Sequence, residues 1–154
     1  MSPLPIVSNS SPLIVLTRIG HLNLLERLFT TVVVPPAVTR EVISVVLPAW
    51  VIERPLIQPV GPRILRASLG SGESEAISLA LEVGAQWLIL DDRPARRLAE
   101  ALGLPVIGTL GVLLAGKRRG FLPAVRPCVD ALVNVGFRIA PDLYERVMTD
   151  AGEG

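Results

Sequence analysis

The sequence contains a single cysteine, Cys128, and a single histidine, His21. One cysteine excludes an internal disulfide framework and any cysteine-rich zinc site. One histidine excludes a multi-histidine metal centre and leaves a histidine-dependent triad with one candidate. His21 follows Gly20 in "RIGHLNLLERLF", at a helix start, where capping or solvation accounts for it. Charge is scarce too: 19% of the 154 residues carry one and the net charge is +1, so any preference for nucleic acid must come from local patches.

Long hydrophobic runs are also missing, although half the residues are hydrophobic and the mean hydropathy is +0.53. The stretch "LPVIGTLGVLLAG" (104–116) is too short to cross a bilayer and carries Pro and Gly. The opening "MSPLPIVSNSSPLIVL" lacks the basic start of a secretory signal. A soluble cytoplasmic protein with no membrane segment is expected. Its surplus hydrophobicity then belongs to strands buried on both faces and to an apolar subunit interface.

No repeat, low-complexity segment or long linker interrupts the chain, which reads as one domain over 1–154 with room for its own core. Short apolar runs alternate with helical patterns. Strands are expected at 4–8, 30–35, 86–90 and 104–108, with "WVIER" (50–54) as an edge strand in the otherwise extended, proline-rich segment 48–62. Helices are expected over 13–20, capped by Ser10 or Ser11, and over 22–29, 36–46, 70–85, 91–103 and 109–120. Two more, within about 123–150, would pack on the rest. This alternation predicts an α/β fold with a parallel sheet covered on both faces. In such folds, binding groups gather where strands end and turn into helices. Asn9, Asp91 and Asp92 stand at such ends.

Helical geometry singles out two further acids. Glu41 falls about 60° from Val38 and about 40° from Val45, on the margin of the buried stripe of its helix. Glu73 lies within roughly 80° of Ile77, Ala80 and Leu81, whereas Glu75 shares a polar arc with Ser78 and Glu82 and reads as solvated. Glu73 is also a first-turn residue, where the helix dipole alone would favour an anion. For Asp91-Asp92, one carboxylate suffices as an N-cap and the second is surplus. Arg93, Arg96 and Arg97 beside them suit phosphate, or plain helix pairing such as Arg96 with Glu100. "KRRG" (117–120) reads first as the basic last turn of a helix. "GSGE" (70–73) lacks the Lys and Ser/Thr of a phosphate loop. No Asp follows the first strand, which disfavours a nucleophilic aspartate.

Together "IVSNSSPLIVLTRIGHLNLL", "VVVPPAVTREV", "GSGESEAISLALEVGAQWLILDDRPARRLAEALGLPVIGTLGVLLAGKRRG" and "GFRIAPDLYERVMTDAGE" cover nearly the whole chain. In this order they resemble PIN domains, the ribonuclease fold of VapC-type toxins, and most of all a PIN-like branch of predicted nucleic-acid-binding proteins. The resemblance implies a three-layer α/β/α domain with a central parallel sheet of four to five strands. It also implies four acidic positions around Mg²⁺ or Mn²⁺, which fall on Asn9, Glu41, Glu73 and Asp91, with Asp92 as neighbour or substitute. Glu41, Glu73 and Asp91 would be catalytic. Ser10, Arg93, Arg97, Lys117 and Arg118 are the candidates for contacting nucleic acid.

The implied activity is metal-dependent cleavage of single-stranded RNA by the toxin-like half of a toxin–antitoxin pair. The implied partners are a small antitoxin-like protein and further copies of the chain, as a homodimer or higher oligomer. One residue departs from the pattern. Asn9 stands where an active PIN nuclease usually has Asp, although Asn is frequent in the branch that this chain resembles. Asn still offers a carbonyl oxygen to a hard cation but removes one negative charge. The other reading is therefore a PIN-fold module with little or no nuclease activity that binds RNA or a protein partner.

Overall fold

A computed structural model describes residues 4–154; residues 1–3, the first of those read for a leader, lie outside the described residues. The short β-branched and apolar runs form strands: β1 Ile6–Ser8, β2 Val32–Val34, β3 Val51–Glu53, β4 Trp87–Ile89 and β5 Val106–Ile107. All pair in parallel, in the order β3-β2-β1-β4-β5. The chain builds outward from β1 to β3, then returns to add β4 and β5 on the other side of β1. The direction reverses between β1 and β4, which is where open α/β sheets form their binding crevice.

Helices separate the strands: α1 Ser10–Arg18, α2 Asn23–Phe29, α3 Pro36–Glu41, α4 Val60–Leu65, α5 Ser71–Val83, α6 Arg93–Ala101, α7 Thr109–Arg118, α8 Arg126–Asn134 and α9 Pro141–Asp150. Alternation along each strand sends side chains to opposite faces. Ile6, Val32, Val34 and Ile89 enter one core, with residues of α1, α2, α7, α8 and α9. Val7, Leu88 and Leu90 enter a second core, built with α5 and α6. Each fully buried Leu, Ile or Val on these faces contributes about 1.5–3 kcal/mol. The result is the three-layer α/β/α architecture with five strands, and β3 is the edge strand expected from "WVIER". No helix among the described residues is long and apolar enough to cross a membrane.

Three local outcomes differ from the sequence expectations. The helix expected over 36–46 stops at Glu41, where Val42, Ile43, Val45 and Val46 bring a β-branched run of poor helix formers ahead of Pro48. Val42 still packs into the core while Ile43 and Val46 stand exposed. The segment expected to be extended as far as 62 instead enters α4 at Val60, with Pro62 in a first turn that needs no amide there. At α1, Asn9 occupies the N-cap position without a side-chain capping bond, and Ser10 is the first helical residue.

Candidate active site

Strand pairing sets the first distance in the site. The Asn9 N–H donates to the Ile89 carbonyl at 3.0 Å, as the last rung between β1 and β4. The residue after β1 is thereby held beside the turn that carries Asp91 and Asp92. Asn9 is only 4% exposed. Its Oδ1 faces the first turn of α5, where a Cβ added to Gly72 would lie 3.2 Å from it. The same Cβ would overlap Glu41 Oε1, so Gly72 provides the space in which the Glu41 carboxylate sits. The early end of α3 makes Glu41 its last helical residue and delivers it to this spot.

Glu73 follows Gly72 and reaches back to accept the Gly70 N–H at 3.2 Å, tying off its own helix start. Asp92 is the N-cap of α6 and accepts the Ala95 N–H at 3.1 Å. Both therefore fill the capping role that the sequence allowed, and they fill it next to each other. Burial raises the Glu73 pKa, and the carboxylates of Asp92 and, more weakly, Glu41 add to this against the Gly70 bond. The Glu41 pKa is raised by burial and by Glu75, with Arg40 and the Gly72 amide opposing. Glu41, Glu73 and Asp92 thus form a chain of carboxylates from three distant segments, with Glu73 in the middle and its charge disfavoured by both of the others.

Asp91 is engaged elsewhere. Its carboxylate accepts the Thr109 N–H at 2.7 Å and the Thr109 hydroxyl at 2.5 Å. Thr109 is fully buried at the start of α7, so these bonds join the β4 turn to the β5 turn. Burial nonetheless raises the Asp91 pKa, with the Thr109 bonds and the Arg96 charge pulling the other way. Arg96 does not pair with Glu100: its Nη1 donates to the Leu90 carbonyl at 3.2 Å. Its guanidinium lies against Gly108, where a Cβ would overlap it. The same strand-end rule that pointed to Asn9 and Asp91 also applies to Thr109, after β5, and would have found it.

The remaining candidates are spread more widely. Ser10 is buried beside Asn9, its hydroxyl 3.5 Å from Asn9 Oδ1. Arg93 and Arg97 are exposed on α6. Lys117 Nζ donates to Glu153 at 2.9 Å and to the Ala151 carbonyl. It and Arg118 close α7, about 12–14 Å of helix rise from the Thr109 end that meets Asp91. Glu75, read as solvated, instead accepts the Ala37 N–H at 3.0 Å and lies 3.8 Å from Arg40. Its side chain is 12% exposed. Only a partner helix could reveal that: α3 packs across the polar arc of α5.

Among the described residues, no three Asp, Glu, His or Cys side chains converge closely enough to hold an ion. By donor chemistry Asn9, Glu41, Glu73 and Asp92 fit a hard divalent cation, because all offer oxygen and none offers sulfur or imidazole. Their mutual repulsion is also the kind that a cation relieves, by drawing the carboxylates together.

No curated protein and no solved structure matches the chain. A family model described as PIN domain matches residues 5–153. With a parallel sheet whose switch point carries Asn9 and an acidic chain, the molecule agrees with that match from end to end, and the chain belongs to the PIN-domain family.

Proposed function

We propose that the protein is a metal-dependent endoribonuclease that hydrolyses phosphodiester bonds of single-stranded RNA at the Asn9–Glu41–Glu73–Asp92 edge. PIN domains are in general nucleases, and membership supports a hydrolase that handles nucleic acid. The observation that supports the reading is Glu73, whose pKa is raised by burial and by the carboxylates of Asp92 and Glu41, beside Glu41, whose pKa is raised as well. A bound Mg²⁺ or Mn²⁺ would supply charge stabilisation and an acidified water. Glu41, Glu73 and Asp92 would hold it, with the Asn9 carbonyl as a neutral fourth oxygen. Asp91, fastened to Thr109, would act as a positioning residue for the Asp92 turn. Arg93 and Arg97 would bind flanking phosphates. The Lys117 and Arg118 end of α7 is a lesser candidate for that role, since Lys117 already pairs with Glu153.

A second reading has its own support. Asn9 lowers the charge of the site, and the acids do not close into an ion-holding cluster. Both favour a PIN-fold module that binds RNA or a protein and cleaves weakly or not at all. In either case we propose a toxin-like setting in the cytoplasm, with a small antitoxin-like partner and self-association as a homodimer or higher oligomer. Labelled single-stranded RNA incubated with Mg²⁺ or Mn²⁺, beside Glu73→Gln and Asp92→Asn, tests the first reading. Metal-dependent cleavage lost in both variants supports the nuclease. Absent cleavage, or cleavage equal in all three proteins, leaves the binding module.

A further inference from the structure

Beside the acidic edge lies a cleft of about 640 Å³ between α6, β5, the start of α7, and α9. It falls within the range of about 300–1,000 Å³ that holds small ligands. Four arginines line it: Arg93 and Arg96 from α6, Arg138 from the turn before α9, and Arg146 from α9 itself. None of the four has an ion-pair partner among the described residues. The two acids of the cleft are Asp91, already committed to Thr109, and Asp150. Four positive charges against two leave a positive field in a partly enclosed space. Arg93, Arg138 and Arg146 are exposed, so their guanidiniums can turn toward an anion that enters the cleft. The rest of the lining is apolar: Leu110, Leu114, Leu143, Val147 and one aromatic ring, Phe137, which is partly exposed.

We propose that this cleft binds a phosphorylated nucleoside. Guanidiniums match phosphate oxygens in forked pairs, and a half-exposed phenylalanine among aliphatic side chains offers a flat apolar face for a base. An acidic peptide would satisfy the arginines but would leave the apolar wall and the ring without a planar partner. Two sources carry the same chemistry: a free nucleotide, or the phosphorylated end of a strand. Gly108 matters to the cleft because its missing Cβ lets Arg96 cross the β5 turn. The proposal needs neither a bound metal nor a cleavage step, so it stands or falls apart from the nuclease reading.

Calorimetric titration in EDTA tests it, with adenosine monophosphate, adenosine, inorganic phosphate and a Glu-rich peptide as probes. A double variant, Arg138→Gln with Arg146→Gln, is compared with a charge-matched control at the end of α4, Arg63→Gln with Arg66→Gln. Adenosine monophosphate is expected to bind at least about tenfold more tightly than adenosine, phosphate or the peptide. The cleft variant should lose at least about tenfold in affinity while its melting temperature and the control's affinity stay unchanged. No binding, equal binding of any comparison probe, or an unaffected cleft variant overturns the proposal. RNA trinucleotides with and without a 5′-phosphate then separate the sources. Tighter binding of the phosphorylated trinucleotide than of the mononucleotide supports a strand end; the reverse supports a free nucleotide.

Discussion

Gly72 and Glu41 occupy one another's space: the hydrogen in place of a side chain at Gly72 is what admits the Glu41 carboxylate beside Asn9. A methyl group there would displace the end of a flexible side chain, without touching backbone. Gly72→Ala is therefore expected to leave the melting temperature unchanged, or to raise it by about 2 °C through the better helix former. Metal-dependent cleavage should drop by about 100-fold, because a misplaced carboxylate in the site costs on that order. Thermal melts and initial rates on one preparation check both halves.

Asn9→Asp adds a charge in a buried position next to an acidic chain. In EDTA its melting temperature should fall below wild type by about 2–8 °C, as an unrelieved buried charge costs about 1–2 kcal/mol or more. Saturating Mn²⁺ should return more than was lost, and cleavage should rise at least about tenfold if charge limits metal occupancy. A variant that is destabilised equally with and without Mn²⁺ would count against a cation at this edge.

Glu73 titrates against its neighbours, and the sign follows from its raised pKa. The folded state favours the protonated acid, so its penalty is absent below the ordinary value of 4.5 and grows as pH rises through the raised folded value. Glu73→Gln keeps an oxygen for the Gly70 N–H while removing the charge. In EDTA at pH 7 it should melt about 2 °C above wild type, with the gain vanishing below pH 4.5. Melting curves across pH 4–8 decide it.

Thr109→Val preserves shape and the backbone donor to Asp91 but deletes the 2.5 Å hydroxyl bond. Removing one partner of a charged, partly buried acceptor costs about 1–3 kcal/mol. At this chain length that corresponds to about 2–12 °C in melting temperature. Thr109→Ser should recover most of the loss. Equal melting of Val and Ser variants would mean that the hydroxyl bond contributes nothing.

At the other end of the molecule, Glu153 accepts from Lys117 and from the Val125 and Arg126 amides, and its pKa is lowered to about 2. Stabilisation from a lowered carboxylate pKa is complete above its ordinary value of 4.5 and lost as pH falls through the folded value. Glu153→Gln should melt below wild type at pH 7, with the gap narrowing between pH 4.5 and 2.5. Circular dichroism melts at three pH values measure it.

Much of this architecture is legible in local patterns. Short apolar runs flanked by glycine, proline and serine mark the strands, because period and turn chemistry are properties of a few consecutive residues. The wheel position of Glu73 agrees with its partial burial, whereas Glu41 ends α3 as an exposed residue, and the strand-end rule marked Asn9, Asp91 and Asp92 without saying which of them meet. The family resemblance added the expectation of a divalent metal. Less legible were the end of α3 and the formation of α4, where a β-branched run and a proline favour neither state strongly and packing decides.

By itself the sequence determined where the strands and most of the helices form, apart from the end of α3 and all of α4, and which acids stand at strand ends. Only the tertiary structure decided their partners. It turned Asp91 toward Thr109 and left Asp92 beside Glu73, put Glu75 under α3, and gathered Arg93, Arg96, Arg138 and Arg146 around one cleft. The physical reason is reach. Periodicity and capping act over a few residues, whereas each of these contacts except the α6 pair joins segments that lie far apart in sequence and meet only when the sheet order closes.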